Sequence, residues 1–156
     1  MVKSLVGFQM VILLTINCHH QDPVSTSLDV LPEVILFSDW SVVSFSKDPV
    51  TIQEANVDGD RLKLKITYSG GDKKHDFNLF GSESFLESLP VQAELFLSHD
   101  ANGDMAEALI TEELTFNLSP LKELYRKMYH HNGSILLRIH EPGVMATFRA
   151  LIIYEF

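Results

Sequence analysis

The chain has 156 residues, 46% of them hydrophobic and 21% charged, with a formal net charge of −9 and a mean hydropathy of +0.08. That length and composition fit one globular domain able to bury its own core, and they exclude collagen-like, coiled-coil and wholly disordered chains. The acid excess argues against nucleic acid as a partner, because phosphates call for a basic face, and a single cysteine excludes an internal disulfide framework and a thiolate zinc cluster.

Near the start stands Lys3, then an apolar run over residues 5–16 broken by Gln9, then the polar Asn17-Cys18-His19-His20-Gln21-Asp22-Pro23. About twelve residues at ~1.5 Å each fall short of a bilayer core of about 30 Å. A basic start, a short apolar core and a polar stop read as a secretory signal peptide over residues 1–17. The one cysteine stands where that signal ends. Leu14-Thr15-Ile16-Asn17-Cys18 resembles the lipobox of bacterial lipoproteins, departing from it at Thr15 and Asn17, where a leucine and a small residue are usual. The resemblance implies that Cys18 is lipidated, becomes the first residue of the mature chain and holds the protein at a membrane. His19 after the cysteine leans toward the outer membrane by analogy with enteric bacteria. Two other readings stay open. Ordinary signal-peptidase cleavage, with Ile16 and Cys18 before the cut, gives a secreted protein, and a buried thiol behind an apolar first strand gives a cytosolic one. Losing residues 1–17 removes one lysine and no acid, and so acidic a body does not seek anionic headgroups by itself.

Residues 18–33 carry two prolines and several hydroxyl side chains without a sustained period, which predicts a tether. The remainder, 34–156, reads as a single domain. Its signal is period two. The run Arg61-Leu62-Lys63-Leu64-Lys65-Ile66-Thr67-Tyr68 alternates polar with apolar, as a strand with one buried face does. Asp58-Gly59 before it and Ser69-Gly70-Gly71-Asp72 after it are turns, as are Asn102-Gly103 and Asn132-Gly133. Further strands are predicted over 50–55, 75–81, 91–99, 105–111, 114–118, 134–140 and 144–156.

One helix is predicted over 119–129, with Ser119 as its N-cap and Pro120 at its first position. Leu121, Leu124, Tyr125 and Met128 share a face, with Lys122, Arg126 and Lys127 opposite. About seven or eight short strands and this late crossover helix predict an all-β fold, an immunoglobulin-like antiparallel β-sandwich, with Trp40 in its core. An eight-stranded outer-membrane barrel is the rival, suggested by the alternation of Phe148, Ala150, Ile152, Tyr154 and Phe156. Leu151 and Ile153 occupy the face that a lumen would keep polar, which predicts instead a central strand of a buried core.

Asp100, Asn102 and Asp104 place oxygens at the first, third and fifth positions of a calcium loop, with Glu107 a supplementary ligand. Met105 and Thr111 stand where that loop needs glycine and glutamate, and the bland alternative is a hairpin tip of solvated acids. His75 next to Asp76 and His99 next to Asp100 lie on strands that, if paired, bring two imidazoles and a carboxylate together for zinc or copper. Otherwise these histidines are polar groups flanking turns. Glu112 and Glu113 read as a solvated strand edge. No nucleophile elbow or phosphate loop is present, so no catalytic residue is assigned. Asn117-Leu118-Ser119 and Asn132-Gly133-Ser134 match the glycosylation sequon, which matters only in a eukaryotic secretory pathway. The expectation is an exported, lipid-anchored envelope module that binds a protein or glycan, with no cofactor beyond a possible calcium. A calcium- or zinc-binding periplasmic or secreted protein is the first alternative, and a small hydrolase the second.

Overall fold

A computed structural model describes residues 30–39, 41, 43–142 and 150–156. The signal peptide, Cys18, most of the tether and Trp40 lie outside the described residues.

Eight strands and one helix follow in order: β1 (Ile35–Phe37), β2 (Thr51–Asp58), β3 (Arg61–Gly70), β4 (Asp76–Ser82), β5 (Val91–Asp100), β6 (Ala108–Asn117), α1 (Ser119–Tyr129), β7 (Ser134–His140) and β8 (Ala150–Glu155). They form a sandwich of a five-stranded sheet, ordered β1-β4-β5-β7-β8, and a three-stranded sheet, ordered β2-β3-β6. The predicted alternation in β3 is the clearest cause of this. Leu62, Leu64 and Ile66 are fully buried while Arg61 and Lys65 on the other face are exposed. Leu79, Leu95, Leu97, Ile135, Leu137 and Ile139 supply the opposing sheet's half of the core. Burying each such side chain stabilises the fold by about 1.5–3 kcal/mol.

The sheets are mixed rather than wholly antiparallel, since β1 runs parallel to β4 and β5 parallel to β7. Parallel neighbours need a long connection, and β6 followed by α1 provides one between β5 and β7. The expected strands 105–111 and 114–118 are one strand, β6, pairing with β3 without a break from Arg61↔Asn117 to Gly70↔Ala108. Glu112 and Glu113, the residues between them, are accommodated within the ladder. Glu113 stands opposite Lys65, and Glu112 accepts the Tyr68 hydroxyl at 2.8 Å.

Two further expectations are corrected. Ser119 does not cap α1 with its side chain; Leu118 holds the cap position, and the Ser119 hydroxyl lies 3.4 Å from Asp60 Oδ2. β8 is not central but the last strand of its sheet, with Leu151 and Ile153 nearly half exposed. As predicted, α1 passes between the sheets, burying Leu121 and Tyr125. It ends where His130 turns left-handed and gives its N–H to Arg126 O. No helix among the described residues is long and apolar enough to cross a membrane.

Candidate functional site

The residues singled out by the sequence gather at the end of the sandwich where β3 turns into β4 and β5 loops toward β6. Asn102 and Gly103 both take positive φ, 53° and 65°, so Asn-Gly makes the tight reversal its composition predicts. That reversal swings Asp104 back beneath the β3–β4 turn, where its side chain is wholly removed from solvent. Asp104 Oδ2 accepts the backbone N–H groups of Gly71, Asp72 and Lys73 at 2.9–3.0 Å. Oδ1 accepts that of Ala106 at 2.9 Å.

His75 Nε2 lies 3.2 Å from the same Oδ2, and His75 Nδ1 lies 2.8 Å from His99 Nε2. His99 Nδ1 faces the carbonyls of Asp48 and Pro49 at 3.2 and 3.1 Å. The result is a buried chain running carboxylate, imidazole, imidazole, backbone carbonyl. Rings hold it from both sides. Phe77 stacks on His99 at 4.6 Å and 7°, and Tyr68 lies 4.6 Å from His75. Gly70 makes room, since a Cβ there would fall 2.6 Å from the His75 ring and 3.1 Å from Asp104 Oδ2.

Electrostatics follow from these partners. The Ala106 amide, then those of Gly71 and Lys73 and the His75 ring, hold the Asp104 carboxyl well below the carboxylate range. Burial pushes His99 down from 6.5. Burial, then the hydrogen bond to Glu112, pushes Tyr68 up to about 12.

The predicted meeting of His75, His99 and a carboxylate therefore occurs, although the carboxylate is Asp104 rather than a neighbour in sequence. All four ring nitrogens already have partners, and none points toward a shared vacant position. Among the described residues, no three His, Cys, Asp or Glu side chains are placed to hold a metal ion. Asp100, Asn102 and Asp104 adjoin but do not converge. Asp100 accepts the Asn102 amide and the Ser46 hydroxyl. The Asn102 side-chain amide donates to Lys74 O and Asp76 Oδ2, each at 2.9 Å. Glu107 is exposed, close to β6. A cleft of about 280 Å³ opens beside the chain, bounded in part by Ser69, His99, Asp104 and the exposed Met105.

Spacing alone offers a metal site or polar groups flanking turns for these histidines, and the structure buries His75, His99 and His140. His140 stacks on Phe96 at 4.4 Å, with neither ring nitrogen hydrogen-bonded among the described residues and Nε2 3.8 Å from Glu94 Oε1. The paired glycines before His75 were the one available signal, because a Gly-Gly step allows a close approach as well as a turn.

A family model for the NigD-like C-terminal β-sandwich domain matches residues 34–140. The chain belongs to that family. This NigD-like domain is similar in fold to a NigD-like immunity protein from Bacteroides caccae, with a TM-score of 0.57 and 17% identity over 79% of this chain and 58% of that one. A protein of unknown function from Bacteroides vulgatus gives 0.52 and 16% over 81% and 56%. A candidate lipoprotein from Bacteroides fragilis gives 0.52 and 12% over 80% and 70%. The NigD-like chain thus spans less than two thirds of the first two proteins. At these identities the likeness concerns the fold alone. No curated protein matches the sequence.

Proposed function

We propose that this NigD-like domain belongs to an exported cell-envelope protein, anchored through a lipidated Cys18, that acts by binding a partner rather than by catalysis. The observation carrying the reading is the order of residues 3–23: basic, apolar, then polar, with the chain's one cysteine at the junction. The names of two proteins of the same fold, an immunity protein and a candidate lipoprotein, fit a module that sits at the envelope and binds there. His75, His99 and Asp104 support binding over catalysis, because their polar atoms serve internal bonds. The partner is a protein or a glycan, reached by loops or a sheet edge, and the outer membrane is the favoured location.

Intact-mass spectrometry of the protein from its native host, beside a Cys18→Ser variant, tests the anchor. A mature chain starting at Cys18 and heavier by its acyl groups is expected in the membrane fraction, and the variant should leave that fraction. An unlipidated mass cut near residue 18 would make the protein secreted, and a full-length mass would overturn export.

A further inference from the structure

β6 is the last strand of the three-stranded sheet. Its far end meets the chain at Asn117, which gives its N–H to Pro32 O at 2.8 Å and accepts that of Val34 at 3.0 Å. From Ala108 to Leu114, among the described residues, no backbone group from outside the β3 ladder bonds to the strand. Seven residues of exposed edge form a template for another strand, which folded proteins either cover or use.

The side chains along this edge say what fits. Leu109 is 77% exposed and Met105, just before the strand, 89%. Glu107, Glu112 and Glu113 are exposed too. Every Asp, Glu, Lys or Arg between Lys74 and Lys122 is acidic. Lys65, the base across from Glu113, bonds Glu54 at 2.8 Å. Leu109, Thr111 and Glu113 share one face of β6 while Ile110, Glu112 and Leu114 share the other. An incoming strand with basic residues beside Glu112 and Glu113 and an apolar residue beside Leu109 would be matched on both faces. A second copy of this chain would set the same acids along one shared edge, and each copy carries a net −9.

We propose that the edge of β6 between Ala108 and Leu114 is a docking site for an extended, cationic peptide segment, which joins the sheet as a fourth strand. This rests on the binding-module reading above but not on the anchor. The test uses the full chain in mild detergent and three synthetic probes: a lysine–valine peptide with an adjacent lysine pair set among valines, the same peptide with glutamate in place of lysine, and the lysine–valine peptide interrupted by proline. The lysine–valine peptide is expected to bind, to slow amide exchange within residues 108–114, and to weaken as salt is added. The other two probes should not bind. Exchanging both acids at the solvent-exposed pair, Glu112→Lys with Glu113→Lys, should weaken binding about tenfold or more, as lost and reversed exposed charge pairs would. Far-ultraviolet circular dichroism checks that the variant folds. Failure of the lysine–valine peptide to bind, protection that maps elsewhere, or equal binding by the variant would overturn the proposal. So would protection of β6 that rises with protein concentration alone, which would assign the edge to a second copy. None of these outcomes bears on lipidation of Cys18, so this proposal and the anchored reading can fail separately.

Discussion

Two carboxylates hold opposite ends of β3, and they do so differently. Asp60, in the β2–β3 hairpin, accepts side-chain donors from three places: the Tyr154 hydroxyl of β8 at 2.7 Å, Lys122 of α1, and Ser119 at the helix start. It is about a third exposed. Asp104, beyond the other end, is buried and accepts mainly backbone amides, with one imidazole. Asp60 therefore clasps elements of both sheets, whereas Asp104 shapes two loops. Side-chain donors fasten one rigid element to another. Backbone donors instead fix the path of a chain that has no ladder of its own.

The strongest test of that contrast is Asp104→Ala. It leaves four amides and a buried ring without their acceptor, so protection of the Gly71, Asp72 and Lys73 amides should fall by about a hundredfold or more. The Leu118 amide, bonded to Asp60 O at 2.8 Å, should keep its protection. An equal loss at Leu118 would show that the two ends are not independent.

At the other end, Asp60→Ala leaves the fully buried Tyr154 hydroxyl unpaired. It should destabilise the protein by about 1–3 kcal/mol in urea unfolding, and Tyr154→Phe by less, since it removes the buried group along with its need. Lys122 adds little to that total because solvent reaches the pair. Gly70→Ala should cost about 1–3 kcal/mol by crowding His75 and Asp104, and its effect should stay local to the Asp104 end.

pH separates the ends further. Burial holds His99 below 6.5, so the unfolded chain takes up a proton that the folded ring resists. That contribution is intact above 6.5 and declines as pH falls toward the folded value. Lys122, then Tyr154, hold Asp60 below 3.8, so its contribution is present above 3.8 and is lost only as pH falls past it. Amide exchange during acidification should therefore loosen Gly71 before Leu118, and the reverse order would break the comparison. The smallest effect is reserved for the surface. Lys63→Ala removes an exposed pair with Asp58 at 3.3 Å and should change stability within about 0.5 kcal/mol.

Local chemistry was largely legible. Strict alternation marked β3, Asp-Gly and Asn-Gly marked their reversals, and Pro120 with the 3.6-residue period marked α1. What misled was chemistry settled at a distance. Glu112 and Glu113 read as a solvated strand edge, and the two strands predicted around them are one, because their partners, Tyr68 and Lys65, lie on another strand. A strand with apolar residues on both faces looked central, yet β8 lies at an edge because strand order is chosen by connections rather than by composition. The sequence suggests that His75 and His99 meet, but it places Asp104 with Asp100 and Asn102 in a calcium-loop pattern.

The sequence by itself determined the sandwich class, the crossover helix and most strand positions, because periodicity and turn preference act over a few residues. Only the tertiary structure decided that Asp104 serves four amides and His75, that Asp60 reaches Tyr154, and that β6 ends its sheet with an edge no other described strand covers. Those outcomes depend on which segments meet across tens of residues, and spacing along one chain carries no record of that.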